Sequence, residues 1–271
     1  MAREVAGIGA PGARRAITPD EPSTGAQPAT EPTFDALRRL VQRANVALGA
    51  TDLVLLAFGN VSAVDRERGV MAIKPSGADY AALRPADIPV VSLATGRVVE
   101  GTRRPSSDTP THLALYRAFP AIAAIVHTHS RGATAWAQAE REIPCLGTTH
   151  ADHFMGAVPV TRRLREDEIA TEYEAHTGQV IAERYAAEGL DPLRLPAVLV
   201  ARHGPFVWGE SIAAALDNAI ALEEVALMAL HTEWLRAAVP PIDQRLLERH
   251  FERKHGPTAY YGQPGAAGDR P

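Results

Sequence analysis

Apolar positions at Phe34, Leu37, Leu40, Val41, Ala44 and Leu48 recur every three to four residues until Gly49 stops the run, so an amphipathic helix is predicted over 34–48. Beyond it the pattern shortens. Apolar runs over 53–58, 70–73, 90–93 and 98–99, separated by turn chemistry such as Asp65 to Gly69 and Thr95-Gly96, predict strands paired as hairpins. A helix over about 110–119 starts with Pro110 near its first position, where Ser107, Asp108 or Thr109 is available as a cap, and it feeds a buried strand over 122–126. Further helices are predicted over 131–139, 167–188, 212–237 and 242–254. Two strands over 197–201 and 206–208 are joined around His203-Gly204-Pro205. This order is mixed and not strictly βαβ. The expectation is an α/β fold of three layers, with helices on the faces of a central, largely antiparallel sheet whose loops collect the polar residues at one end.

Composition narrows the class. With 271 residues and 46% apolar content, one core is enough. Net charge is −4 with both signs interspersed, which argues against a nucleic-acid partner. The single cysteine, Cys145, has no partner for an internal disulfide, in keeping with a reducing compartment. Residues 1–33 hold five prolines at 11, 19, 22, 28 and 32 among Gly, Ala, Ser and Thr, with no apolar period, and are expected to be a disordered extension. The stretch 212–230 is interrupted by Asp217, Glu223 and Glu224, so no membrane segment is expected; without a secretory pattern, a cytoplasmic location is.

Candidate chemistry centres on histidine. His127-Thr128-His129 closes an apolar strand, and alternation points both imidazoles to one face at a Cα spacing of about 7 Å. A lone histidine there would more often be structural; a pair can converge on one ion. His203, set before Gly204-Pro205 at another strand end, is a third ligand candidate, and three imidazoles suit a catalytic zinc with an open position. His150, His153 and His176 remain alternatives by spacing alone. Asp108 reads first as the cap of the following helix, while Asp152, on a loop after Gly147, is either a solvated turn residue or a proton-transfer group.

Three loops carry anion chemistry. Lys74-Pro75-Ser76-Gly77 offers a cation, a hydroxyl and an approachable amide, Gly59-Asn60-Val61-Ser62 follows an apolar run, and Ser106-Ser107 precedes a helix N-terminus. Each alone could be a turn. Together they suggest a phosphorylated small molecule, and no nucleotide fingerprint accompanies them.

These runs, with Pro105-Ser106-Ser107-Asp108-Thr109-Pro110-Thr111-His112, Gly147-Thr148-Thr149-His150-Ala151-Asp152 and Ala259-Tyr260-Tyr261-Gly262-Gln263, resemble the class II aldolase and adducin-head family, and within it the pentulose-phosphate epimerases. The resemblance covers 34–263 as one domain, leaving 264–271 as a flexible tail. It implies a three-layer αβα fold and one Zn2+ per subunit on His127, His129 and His203, with Asp108 nearby or as a direct ligand. It further implies a substrate phosphate held by Asn60, Ser76, Gly77, Ser106 and Ser107, with Gly59, Lys74, Asp108 and His250 also at the substrate. Asp152 and Tyr261 would form the acid/base pair. Tyr261 would come from an adjacent subunit of a homotetramer with sites between protomers, and His250 would stand at that interface. The activity implied is zinc-dependent interconversion of L-ribulose 5-phosphate and D-xylulose 5-phosphate by cleavage and re-formation of the C3–C4 bond, as in arabinose catabolism. The alternatives are an aldolase acting on L-fuculose phosphate, which usually carries Glu at the place of Asp108, and a non-catalytic scaffold, which would lack the zinc histidines.

Overall fold

Strand alternation decides which layer each residue joins. The computed structural model describes residues 33–261, so the extension expected over 1–33, Thr33 excepted, and the tail expected over 264–271 lie outside the described residues. In β5 (Ala124–His127), Ala124 and Val126 enter one apolar core and Ile125 enters another. The same split runs through β2 (Val70–Ile73), where Val70 and Ala72 oppose Met71 and Ile73, and through β7 (Gly204–Gly209), where Val207 opposes Phe206 and Trp208. These strands join β1 (Asn60–Asp65), β3 (Val90–Ser92), β4 (Val98–Glu100) and β6 (Ala197–Val200) in a seven-stranded sheet of order β4-β3-β2-β1-β5-β7-β6. Every pairing is antiparallel.

The first core is covered by α1 (Asp35–Gly49), α3 (Arg131–Ala139) and α7 (Ile212–Leu235), through residues such as Val41, Leu48, Ala137 and Leu222. The second is covered by α2 (Thr109–Ala118) and α6 (Tyr173–Glu188), through Leu115, Ile181 and Tyr185. The expected three-layer α/β arrangement is therefore present. Each fully buried side chain of this size contributes on the order of 1.5–3 kcal/mol.

Three local expectations are corrected. The run over 53–58 is not a strand: the chain turns at Leu56, with φ 55°, and leaves Leu55, Leu56 and Phe58 exposed. Side chains take up its carbonyls, since Lys74 Nζ donates to Ala57 O at 3.1 Å and the Tyr80 hydroxyl to Phe58 O at 3.0 Å. The strand of this region begins instead at Asn60, where a turn was expected. The helix expected over 167–188 is two, α5 (Glu166–Ala170) and α6, broken at extended Thr171 and at Glu172, whose φ is 44°. His176 Nδ1 lies 2.8 Å from the Thr171 carbonyl and holds the break. The loop expected around Asp152 contains one helical turn, which we label α4 (Thr148–Ala151); the last helix, α8 (Gln244–His255), starts after Asp243 caps it through Arg245 N and Leu246 N.

Candidate metal centre and active site

The histidine pair is built by the sheet. His127 ends β5, in register with Asn60 of β1 and Phe206 of β7, and its ring stacks on that of Phe206 at 4.1 Å. Its Nδ1 donates to Pro205 O at 2.9 Å, which leaves Nε2 with a lone pair. His129 Nε2 stands 3.2 Å from His127 Nε2. Two nitrogens bound to one tetrahedral zinc at the usual bond length would be about 3.3 Å apart, so this spacing suits a shared ion. His203 sits in the turn between β6 and β7, beside Arg202 with φ 62°, and completes a set whose ligand atoms all lie within 4.8 Å of one another.

Burial lowers the pKa of all three imidazoles. His203 is pushed down to about 3 by burial and by its two histidine neighbours. Neutral imidazoles are what a metal requires, and the donor set fits a divalent ion. The alternatives do not join them. His150 Nε2 lies 2.7 Å from Gly156 O, His153 bonds Asn218 and Lys254, and His176 turns to Glu168 O and Thr171 O.

The phosphate-type loops meet the same cavity, of about 430 Å³. Gly59, Asn60, Lys74, Ser76, Gly77, Ser106, Ser107 and Asp108 all line it alongside the three histidines. Two backbone bonds tie the loops together, Ser76 N to Arg104 O and Ser106 N to Lys74 O, each 3.0 Å. Gly59 holds φ +90°, and a Cβ there would lie 2.7 Å from His127 O, so only glycine lets the loop lie this close to the histidine strand. Lys74 is almost wholly buried, with Nζ 4.5 Å from the Tyr80 ring centre; burial lowers its pKa, and Asp108 and Asp79 oppose that.

Asp108 stands at the N-cap position of α2 but makes no capping bond. Its Oδ2 instead accepts from Asn60 Nδ2 at 2.7 Å. Burial by itself would raise the pKa of this carboxyl, but His127, His112 and the Asn60 bond hold it below the ordinary value. Because Asp108 can only accept, the Asn60 amide is fixed in orientation, and its buried Oδ1 finds no donor among the described residues.

Sequence reasoning missed two titratable residues of this cavity, besides the apolar lining of Ala57, Phe58 and Pro75. Tyr173 and Glu174 line it, and the Tyr173 hydroxyl lies 3.3 Å from His203 Nδ1. Their presence depends on the helix break at Thr171-Glu172, which apolar period does not register.

Asp152, His250 and Tyr261 form a second cluster, and none of them lines the histidine cavity. Asp152 Oδ1 lies 3.0 Å from His250 Nδ1, and Arg253 grips both carboxylate oxygens, Nε to Oδ1 at 3.1 Å and Nη2 to Oδ2 at 2.7 Å. Burial would raise the Asp152 pKa, but Arg253 and His250 bring it below the ordinary value. The Arg253 guanidinium also lies 4.5 Å over the Tyr261 ring. Arg253 carries no motif of its own and was not anticipated.

Residues 39–230 match the family described as Class II Aldolase and Adducin N-terminal domain. This chain belongs to that family. Among curated class II aldolase relatives, it is 52% identical over 227 residues to the L-ribulose-5-phosphate 4-epimerase UlaF of Salmonella paratyphi B, a match covering 84% of this chain and 98% of the relative. The UlaF protein of Salmonella typhi is 51% identical over the same shares. A solved L-fuculose 1-phosphate aldolase superposes with a TM-score of 0.68 at 26% identity, covering 80% of this chain and 95% of that one. YgbL of Klebsiella pneumoniae, titled a putative aldolase/epimerase/decarboxylase, superposes at 0.63 with 27% identity, over 79% and 97%. No described helix is long and apolar enough to cross a membrane.

Proposed function

We propose that this chain is an L-ribulose-5-phosphate 4-epimerase, interconverting L-ribulose 5-phosphate and D-xylulose 5-phosphate, with zinc on His127, His129 and His203. The observation that carries the reading is a single cavity in which three neutral imidazoles and Asp108 face two serine-bearing loops and a buried lysine. Similarity to the L-ribulose-5-phosphate 4-epimerases of Salmonella supports the choice of substrate.

The reaction has a chemical obstacle. Carbon 4 of a 2-ketopentose is not adjacent to the carbonyl, so loss of its proton gives no stabilised carbanion. Cleavage of C3–C4 avoids this: a base takes the C4 hydroxyl proton, C4 becomes the aldehyde of glycolaldehyde phosphate, and the bonding pair stays with C3 as the enediolate of dihydroxyacetone. The aldehyde then turns about its held phosphate. C3 re-attacks the opposite face, and an acid returns a proton to the C4 oxygen.

Zinc on the three imidazoles would supply Lewis acidity toward the ketose oxygens. Ser76, Gly77, Ser106 and Ser107 hold the phosphate through hydroxyls and amides, at the start of α2 where the helix dipole also favours an anion, with Lys74 as the buried cation. Asn60 keeps Asp108 in place. Asp108, held beside the imidazoles, would offset the charge of a bound ion. Asp152 and Tyr261 exchange protons with the C4 oxygen from its two sides. Both come from the adjacent subunit of a homotetramer, with His250 beside them, which accords with their standing together on one chain while lining no part of that chain's histidine cavity. In this reading one cytoplasmic catalytic domain spans 34–263 and serves pentose catabolism.

The test is conversion of L-ribulose 5-phosphate by the zinc-loaded protein, following D-xylulose 5-phosphate and glycolaldehyde phosphate separately. Xylulose phosphate that disappears after chelation is the expected result. Free glycolaldehyde phosphate accumulating in its place would make the protein an aldolase.

A further inference from the structure

We propose that Arg253 is a positioning residue that locks Asp152 and Tyr261 into one proton-handling unit. The inference rests on the reading above, in which these two side chains exchange protons with the substrate.

The contacts are specific. Asp152 follows α4, whereas Arg253 lies on α8, about a hundred positions later in the chain. Its guanidinium forks onto the carboxylate with two bonds, of 3.1 and 2.7 Å. This planar match is one an ammonium cannot reproduce. The same guanidinium carries the Tyr261 ring at 4.5 Å. Its main chain holds the other end of that residue: Arg253 O accepts from Tyr260 N at 3.0 Å and from Tyr261 N at 3.1 Å. Asp152 and Tyr261 are thus joined through Arg253 at three points, carboxylate, ring and backbone. Tyr261 itself is half exposed and follows the end of a helix, where little else fixes its direction.

An acid and a phenol that must reach one substrate oxygen from two sides need a fixed separation, and a small misplacement lowers the rate steeply. Arg253 supplies that separation without touching substrate. It also favours ionised Asp152, which makes that residue the proton acceptor at the start of a turnover and Tyr261 the donor. The other titratable groups around the carboxylate are His250, which bonds Oδ1, His255, whose Nε2 meets the Asp152 carbonyl at 2.8 Å, and His153 and Lys254 farther out.

The experiment compares the full-length zinc-loaded protein with Arg253→Met and Arg253→Lys. Arg253→Met should lower kcat about a hundredfold with KM little changed. The acid limb of its pH profile should move upward as Asp152 loses its cation. Added methylguanidinium should restore part of the rate in Arg253→Met and none in Asp152→Asn. Arg253→Lys, which keeps the charge and loses the fork, should recover the pH limb better than the rate. Should Arg253→Met not fold, Arg253→Lys carries the test alone, as a fall in kcat at unchanged Tm.

A rate and pH limb within about twofold of wild type in either folded variant would overturn the proposal. So would a loss of rate that methylguanidinium leaves untouched while Asp152 titrates as in the wild type. The carboxyl titration of Asp152, read by 13C NMR, needs no turnover. If the wild type fails to convert L-ribulose 5-phosphate, the substrate reading falls, and an unshifted Asp152 in Arg253→Met would separately sink the assignment of Arg253.

Discussion

Replacing Glu223 by Gln should loosen the turn that carries the metal-site histidines. Glu223 lies on α7 with 8% of its surface exposed, and its carboxylate accepts Gly132 N at 2.6 Å and Ala133 N at 2.9 Å. These are two of the N–H groups that open α3 and have no partner inside the helix. The approach is close: a Cβ on Gly132 would lie 2.9 Å from Leu227 Cγ and 3.1 Å from Glu223 Oε1. Gln keeps the shape, gives up the charge and turns one acceptor into an amide facing a backbone N–H. Two charge-assisted bonds are each worth about 1.5–3 kcal/mol net, Gln retains one neutral bond of about 1 kcal/mol, and the helix dipole adds about 0.5–1 kcal/mol, so the mid-range loss is about 4 kcal/mol. For a body of this size that lowers Tm by about 8–16 °C. Calorimetry of the metal-free protein measures it, and a zinc titration should show weaker binding, since α3 starts just after His129-Ser130. A Tm shift below about 2 °C would refute the role given to this carboxylate.

Other predictions concern the metal, the glycine loop and pH. His203→Ala should reduce bound zinc from about one per chain to a small fraction by elemental analysis, while circular dichroism stays unchanged; full occupancy would remove His203 from the ligand set. Gly59→Ala forces a side chain onto φ +90° and against His127 O, and should destabilise by about 3 kcal/mol in urea unfolding. His150, buried and with its pKa pushed down to about 4 by burial, is neutral in the fold. Its contribution to stability is therefore complete above the unfolded value of about 6.5 and lost as pH falls toward 4, at no more than about 1.4 kcal/mol per pH unit. His150→Gln should flatten that part of the stability profile, and an unchanged slope would contradict it.

The legible parts of the site were those where short-range pattern and chemistry coincide. His127 and His129 could be paired from sequence because alternation puts residues two apart on one face, and His203 because it stands at a strand end beside glycine and proline. Local grounds alone make Asp108 a helix cap, and only the resemblance takes it to the histidines. Its position is a capping one, but Asn60 from a strand 48 positions earlier takes the carboxylate instead. The run over 53–58 is apolar enough for a strand, yet Lys74 and Tyr80 occupy the carbonyls of Ala57 and Phe58 and the ladder begins at Asn60.

Apolar period in the chain therefore set most of the element types, the two-sided sheet and the order of the motifs, because those depend on residues within a few positions of each other. Folding alone brought Tyr173 and Glu174 to the cavity, put the carboxylate of Glu223 at the start of α3, and joined Asp152 to Tyr261 through Arg253. The reason is distance along the chain. A hydrogen bond between residues ninety or a hundred positions apart leaves no periodic trace, and only the packing of helices on the sheet determines which distant polar groups meet.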